Sequence, residues 1–438
     1  MATAYEPTHP SYFDEADLRT ELTRVFDLCH GCRLCLHLCP AFPTMFNSID
    51  ARDGDVAGLT TREQDQVVDE CYQCKLCYLK CPYIPPHEWE LDFPRLMMRA
   101  NAVKVRNNHQ TVSQKLADQL LSRTDLLGTV SVKLSGITNK ALSTNSTIVR
   151  KTMERVMGIA AERVLPPYAK QRFSVWYRKR IKPFVENRRA KAAIYPTCFI
   201  EYQDPEIGKD LVAVFERNGI ECALPDGVKC CGAPWLHSGN VDQFKKVAEK
   251  NVTALVSQAR QGNPIIVAQP TCAYVIKRDY PLYIKTQEAR DVADATYDSS
   301  EYLMQMHKSG GGISLEFSGS VPESVTYHVP CHMQALSIGF KSRDLLKLAG
   351  IKVTVVNKCS GIDGTWGYRR DNYELSKKVS SGLAKAIEKS TGQVMAGDCH
   401  LANTAITEET GRRVFHPMQI VARAYGIGEG NDDQIESK

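Results

Sequence analysis

From about residue 192 onward, short runs of apolar and β-branched residues alternate with longer stretches of helical period. Ala192-Ala193-Ile194-Tyr195 reads as a strand, Ile207 to Arg217 as a helix, Asp242 to Arg260 as a longer helix, and Ile265-Ile266-Val267-Ala268 as a buried strand. The same order returns with Val325-Thr326-Tyr327-His328-Val329 and Val394-Met395-Ala396-Gly397. Strands alternating with helices predict an α/β fold with a parallel sheet. Each of these strands delivers a cysteine at its carboxyl end: Cys198, Cys272, Cys331 and Cys399. Between them stand Lys229-Cys230-Cys231-Gly232 and Lys358-Cys359-Ser360-Gly361. Cys198 and Cys230 are 32 positions apart, Cys331 and Cys359 are 28; Cys230 and Cys272 are 42 apart, Cys359 and Cys399 are 40. This is a weak internal repeat, so two related α/β units are expected. Open parallel sheets bind ligands at the carboxyl ends of their strands, where these thiols fall. Gly232 and Gly361 would let backbone approach a bulky ligand or supply a positive φ. Cys222 lies outside the repeat and reads as a core thiol.

The first hundred residues follow a different pattern. Cys29-x2-Cys32-x2-Cys35-x3-Cys39-Pro40 is matched by Cys71-x2-Cys74-x2-Cys77-x3-Cys81-Pro82. Three cysteines spaced by two residues reach three corners of a [4Fe–4S] cube, and the fourth thiolate comes from elsewhere. In the bacterial two-cluster arrangement each run lends its last cysteine to the other, which groups Cys29, Cys32 and Cys35 with Cys81, and Cys71, Cys74 and Cys77 with Cys39. Structural zinc prefers Cys-x2-Cys pairs separated by a longer finger, and a disulfide framework belongs to short exported chains. The opening MATAYEPTHP has neither the basic nor the apolar region of an export signal, so the sixteen cysteines are expected to be metal ligands in a reducing cytoplasm.

The 438 residues suffice for two or three domains, and no apolar run approaches the about 20 residues that cross a bilayer. The formal charge of +5 is mild. Its distribution is not: Arg150 to Lys191 carries 13 Lys or Arg against 3 Glu. Within it Phe173, Trp176 and Tyr177 stand among Arg172, Arg178, Lys179 and Arg180, which fits either a solvated connector or a helix lying on an anionic membrane or acidic partner. There is no Gly-x-Gly-x-x-Gly after a strand, so a flavin or nicotinamide would come from a partner. Ser309-Gly310-Gly311-Gly312 reads as a linker, and Gly426 to Gly430 as part of a flexible tail. No recognisable reader module accompanies the basic stretch, and no nucleic-acid partner is expected.

The paired cysteine runs followed by two cysteine-rich repeats resemble the iron–sulfur subunits of anaerobic glycerol-3-phosphate dehydrogenase and glycolate oxidase, and the D-type subunit of heterodisulfide reductase, over roughly residues 20 to 420. The segments around Cys29–Cys39 and Cys71–Cys81 look like a branch of iron–sulfur-binding proteins associated with rubrerythrin-type proteins. Pro85-Pro86-His87-Glu88-Trp89 is expected to close the second cysteine loop, with His87 a surface or capping residue. In heterodisulfide reductases each repeat resembles Cys, then Cys-Cys-Gly, then Cys-x2-Cys, five thiols that hold a noncubane cluster. Here the first repeat offers Cys198, Cys230, Cys231 and Cys272, with Val275 at the last position. The second has Cys331, Cys359 and Cys399, with Ser360 replacing the adjacent cysteine and Asn403 beyond. Four thiolates suffice for a further cluster in the first repeat; in the second, His332 or His400 would have to complement three.

The expected architecture combines α+β and α/β parts: a helical ferredoxin-like domain with two [4Fe–4S] clusters over residues 1–100, a basic helical connector over 101–190, cysteine-rich α/β repeats over 191–308 and 313–425, and a tail over 426–438. The expected function is electron transfer between a flavoprotein dehydrogenase or rubrerythrin-like protein and an acceptor at the repeats, in the cytoplasm or at the inner face of its membrane. The alternative is a catalytic thiol–disulfide reductase.

Overall fold

The computed structural model of the chain describes residues 5–428 except 184, 186, 187 and 363. The first hundred residues form helices Glu15–Cys32, Ala41–Asp50, Thr61–Asp69, Leu76–Lys80 and Phe93–Arg106. Asp14 caps the first through the Asp17 amide, and its buried Leu18, Leu22, Val25 and Phe26 recur at the three-to-four-residue period that makes one apolar face. Arg33, in the left-handed region at φ 52°, ends that helix and turns the chain toward Cys35. Phe93–Arg106 is packed on two sides. Leu96, Met97, Ala100 and Val103 join the core of this unit, whereas Met98 and Ala102 join the core of the first repeat, so one helix fixes the two against each other.

The repeats contain two four-stranded sheets, parallel throughout. The first comprises β1 (Ala190–Ile194), β2 (Ile220–Ala223), β3 (Ile265–Val267) and β4 (Thr296–Asp298), in the order β2-β1-β3-β4. The second comprises β5 (Ser324–His328), β6 (Lys352–Val356), β7 (Val394–Gly397) and β8 (Val414–Phe415), in the equivalent order β6-β5-β7-β8. Identical strand order is the structural form of the repeat in the cysteine spacing. Along β1 the side chains alternate between faces. Ala192 and Ile194 enter a core shared with Val325, Tyr327 and Ala396 of the second sheet, while Ala193 and Tyr195 face a separate core with Phe244, Leu255 and Val292. Helices Pro205–Arg217 and Pro417–Ala424 supply Leu211, Phe215, Met418 and Val421 to the shared core. The repeats thus face each other across common apolar packing.

Between residues 112 and 157 the chain forms four short helices, Val112–Ser122, Thr124–Lys133, Ser135–Leu142 and Thr147–Met157. The later helix Phe173–Lys179 corrects one sequence expectation. Its Phe173 and Tyr177 are buried in the shared core rather than displayed, the Tyr177 hydroxyl donates to the Cys222 carbonyl at 2.5 Å, and Arg178 and Arg180 pair with Asp226 and Glu216. Aromatic residues interleaved with cations here anchor a helix; burial outweighs exposure because the rings complete an apolar core. Cys222 is buried in that core. The last described residues, Gly426 to Gly428, close the final helix, with Ile427 against the core; residues 429–438 of the expected tail lie outside the described residues. No helix among the described residues is long and apolar enough to cross a membrane.

Candidate iron–sulfur and cysteine sites

The two N-terminal cysteine runs line two small cavities. One is bounded by Cys29, Cys32, Cys35 and Cys81 with Phe46, Tyr83 and Leu91; the other by Cys39, Cys71, Cys74 and Cys77 with Phe42, Tyr72 and Phe93. Each cavity therefore draws three thiols from one run and the last thiol of the other. Left-handed backbone at Gln73 (φ 57°) and Lys75 (φ 65°) winds the second run around its cavity, a conformation that costs non-glycine residues energy and recurs at ligand-holding loops. The thiols raise one another. Burial and then the thiols of Cys81 and Cys32 push Cys35 up to about 11, and burial with Cys71 and Cys74 raises Cys39. Such a set resists ionising unless a cation neutralises it, which suits thiolate ligation of an iron–sulfur group. Among the described residues no three His, Cys, Asp or Glu are grouped to hold a single metal ion. Thiols around a polynuclear cluster stand farther apart than those around one ion. His87 is a local cap, its Nδ1 accepting from the Trp89 amide at 3.1 Å.

In the first repeat the four thiols converge. All four are free thiols: Cys198 is hydrogen-bonded with Cys230, Cys230 with Cys231 and Cys231 with Cys272, and Cys230, Cys231 and Cys272 are buried. Hydrogen bonds from Cys198 and Cys231 lower the Cys230 thiol. The loop that carries it is clamped by polar side chains. Asn251 is fully buried on helix Val241–Arg260; its Nδ2 donates to the Cys230 carbonyl at 2.9 Å and its Oδ1 accepts from the Lys229 amide at 2.7 Å. Tyr195 donates to the Lys229 carbonyl at 2.6 Å and Tyr280 to that of Cys231 at 3.0 Å. Asp125, from helix Thr124–Lys133, accepts from the Cys230 amide at 2.9 Å, and its carboxyl is pushed up to about 6 by burial and then by Cys230.

The second repeat arranges its thiols differently. Cys331, Cys359 and Cys399 line a cavity of about 250 Å³ together with His328, His332 and Ser360. The opposite wall belongs to the N-terminal unit and includes His37, Leu38, Tyr72 and Lys80. The hydroxyl of Tyr72 lies 3.2 Å from the Cys359 sulfur and donates weakly to the Leu38 carbonyl at 3.4 Å. One tyrosine thus touches a thiol of the second repeat while its ring helps bound the Cys39–Cys77 cavity. Trp366 donates to the Asp69 carbonyl at 2.7 Å beside it, fixing this junction.

The two histidines that follow Cys331 and Cys399 have different surroundings. His332 Nδ1 lies 3.2 Å from the Thr271 hydroxyl and 3.7 Å from Cys331, and His400 stacks on Phe199 of the first repeat with ring centres 4.0 Å apart. Burial holds both imidazoles down to about 3, hence neutral. Asn403 donates to the Gly397 carbonyl at 2.8 Å, and Val275 is buried in the core. The second glycine loop is also clamped: Ser376 donates to the Gly361 carbonyl at 2.6 Å, and His328 Nε2 lies 3.0 Å from the Lys358 carbonyl. His328 stands three residues before Cys331 as Tyr195 stands three before Cys198, and each ring bonds the carbonyl preceding its repeat's middle cysteine. Gly232 and Gly361 have φ of 89° and 66°. A Cβ at Gly361 would lie 2.3 Å from the Ser376 carbonyl oxygen, so its close approach is to a helix. Sequence reading did not find Tyr72, Asp125, Asn251 or Gln269, whose Nε2 reaches the Cys399 sulfur at 3.6 Å across the repeats. Only the recurrence of a ring three residues before the first cysteine of each repeat, Tyr195 and His328, was there to be seen.

Three stretches of the chain match known protein families. Residues 22–109 match the citrate utilization protein B Fer4-like domain, and residues 192–277 and 325–404 each match the cysteine-rich domain. Over 324 residues the chain is 29% identical to a subunit of the anaerobic glycerol-3-phosphate dehydrogenase of Escherichia coli K12, covering 73% of this chain and 80% of that protein. It is 26% identical over 222 residues to lactate utilization protein A of Bacillus licheniformis, 48% of this chain and 87% of the relative. With a subunit of the fumarate reductase (CoM/CoB) of Methanothermobacter marburgensis it shares 24% over 259 residues, 56% of this chain and 49% of the relative. A Fer4-like unit with two thiol-lined cavities, followed by two cysteine-rich domains of one topology, puts the chain in the iron–sulfur electron-transfer family to which these oxidoreductase subunits belong.

Proposed function

We propose that the chain is a non-flavin subunit that relays electrons between an oxidoreductase partner and an acceptor at its cysteine-rich repeats. Two [4Fe–4S] clusters, held by Cys29, Cys32, Cys35 and Cys81 and by Cys71, Cys74, Cys77 and Cys39, would supply one-electron carriage when bound. The observation that carries this reading is the Tyr72 junction, which joins the Cys39–Cys77 cavity to Cys359. Tyr72 and Trp366 hold the two regions in contact, and Phe42, Phe93 and Leu38 keep the thiol-lined cavity apolar. Chemistry on an organic substrate would fall to the partner; a dehydrogenase or reductase fits the names of the relatives, with a flavoprotein dehydrogenase the first candidate and a rubrerythrin-like protein the other. A subunit working at the inner face of the cytoplasmic membrane is consistent with the lack of any membrane-crossing helix among the described residues.

Anaerobic purification with iron and sulfide counting, followed by redox titration under EPR, tests the reading. About eight irons and two reducible centres are expected from the N-terminal unit; about four or fewer would sink it. A larger count, lowered by Cys230→Ser, would add a cluster at Cys198, Cys230, Cys231 and Cys272. The lowered Cys230 thiol also favours a second reading, a thiol–disulfide reductase. Absence of any cluster-linked radical when the reduced protein meets a disulfide would eliminate that alternative.

A further inference from the structure

Nine of the fourteen large apolar side chains exposed among the described residues lie between Val112 and Val156. They are not scattered. Leu116, Leu126, Val130, Leu134 and Ile137 recur at helical spacing along consecutive helices, and Ile137 and Ile148 expose 71% and 84% of their surfaces. The same helices have well-packed inner faces: Ala117, Asp118, Gly128 and Val132 are buried, and Asp125 reaches inward to the Cys230 amide. The outer apolar face is therefore a second, unpartnered face of helices already fastened to the protein.

The charges on that face have one sign. Arg123, Lys133, Lys140, Lys151 and Arg155 are exposed. The three acids of this stretch are turned away: Asp118 pairs with Arg369, Asp125 accepts from Cys230 and Tyr202, and Glu154 accepts from the Ala161 amide. Exposed aliphatic side chains and exposed cations on the same helices, with all three carboxylates engaged elsewhere, complement an anionic lipid surface, where long cationic side chains lie along the apolar layer and reach headgroups. Composition separates this from a protein-docking face. Protein interfaces are enriched in Tyr, Trp and Phe and depleted in Lys, whereas residues 111–157 contain no aromatic residue and Lys is the commoner exposed cation.

We propose that the outer face of helices 112–157 is a peripheral membrane-binding surface selective for anionic lipid. The inference deepens the reading of a peripheral subunit and rests on it only for the side of the membrane. Because the first repeat's thiols lie beneath helix Thr124–Lys133, binding would seat that repeat next to the bilayer.

Sedimentation of the iron-loaded full-length protein with vesicles tests this. Vesicles containing phosphatidylglycerol should carry the protein down, and phosphatidylcholine vesicles should carry at least tenfold less. The triple variant Leu126→Gln, Val130→Gln, Ile137→Gln and the charge variant Lys133→Glu, Lys140→Glu, Lys151→Glu should each lose at least tenfold in partitioning, with iron content unchanged. If the apolar variant sheds iron, the charge variant, confined to exposed side chains, decides. No binding to phosphatidylglycerol vesicles, equal binding to both lipids, or binding unaffected by the charge variant overturns the proposal. Variants that keep vesicle binding but no longer co-purify an oxidoreductase subunit would also overturn it, in favour of a protein-docking face. Iron counts and EPR signals report on the electron-relay reading separately, so the two can fail independently.

Discussion

The first and second cysteine-rich domains share a strand order, a ring three residues before the first cysteine and a clamped glycine loop, yet their thiols are deployed in opposite ways. In the first, four thiols touch one another under Asp125. In the second, three thiols are spread around a cavity of about 250 Å³ that opens against the N-terminal unit. Ser360 stands where the first has Cys231, the thiol that links Cys230 to Cys272. One fold thus carries a closed thiol cluster and an open thiol-lined chamber. The lesson is that a duplicated scaffold keeps the loop clamps while its ligand positions diverge.

The sharpest way to break the comparison is to remove a middle cysteine from each domain. Cys230→Ser should abolish whatever iron exceeds the N-terminal complement, whereas Cys359→Ser should leave that excess intact; iron and sulfide analysis of the two variants reads the difference. Equal losses would mean that the domains are not differently deployed.

The loop clamps should differ next in strength. Asn251→Leu removes hydrogen bonds to the buried Cys230 carbonyl, to the part-buried Lys229 amide and to the Tyr280 and Tyr195 hydroxyls, so a loss of about 3–5 kcal/mol is expected. Ser376→Ala removes one bond to the loop, at Gly361, and one accepted from the buried Arg163 guanidinium, and should cost about 2–3 kcal/mol. Denaturant titration of the anaerobic protein measures both.

Acid should distinguish the domains more weakly. Burial holds His328 down to about 4, against about 6.5 when unfolded. Between these values the unfolded chain binds the extra proton, so the neutral ring's stabilisation is complete above about pH 6.5 and is lost as pH falls toward 4. At pH 5 the loss is about 2 kcal/mol. Tyr195, its counterpart, carries no such liability. His328→Gln, which keeps a donor for the Lys358 carbonyl, should flatten the dependence of unfolding midpoint on pH between 7 and 5; an unaltered slope would assign the acid sensitivity elsewhere.

Much of the α/β region was legible beforehand. Ile265 to Ala268 and Val325 to Val329 carry an apolar signal strong enough to mark strands, and the cysteine spacing alone announced the repeat. The connector was less legible. Phe173 and Tyr177 looked like a surface motif because sequence records which residues alternate with cations but not which side of a helix meets a core. The outward apolar face at Leu126 to Ile137 was missed for the converse reason, since helical periodicity there also matches an ordinary buried stripe.

Chemistry divides along the same line. Local spacing by itself determined that Cys29, Cys32 and Cys35, and again Cys71, Cys74 and Cys77, stand close enough to share a ligand, because a few intervening residues limit how far apart thiols can lie. That Cys81 joins the first group and Cys39 the second was expected from the two-cluster pattern, but spacing alone does not fix it; helix packing brings these distant positions together. The contact of Tyr72 with Cys359, across 287 residues, is wholly tertiary. Its existence depends on how two separately folded units dock, and no local pattern of apolar and polar residues encodes that geometry.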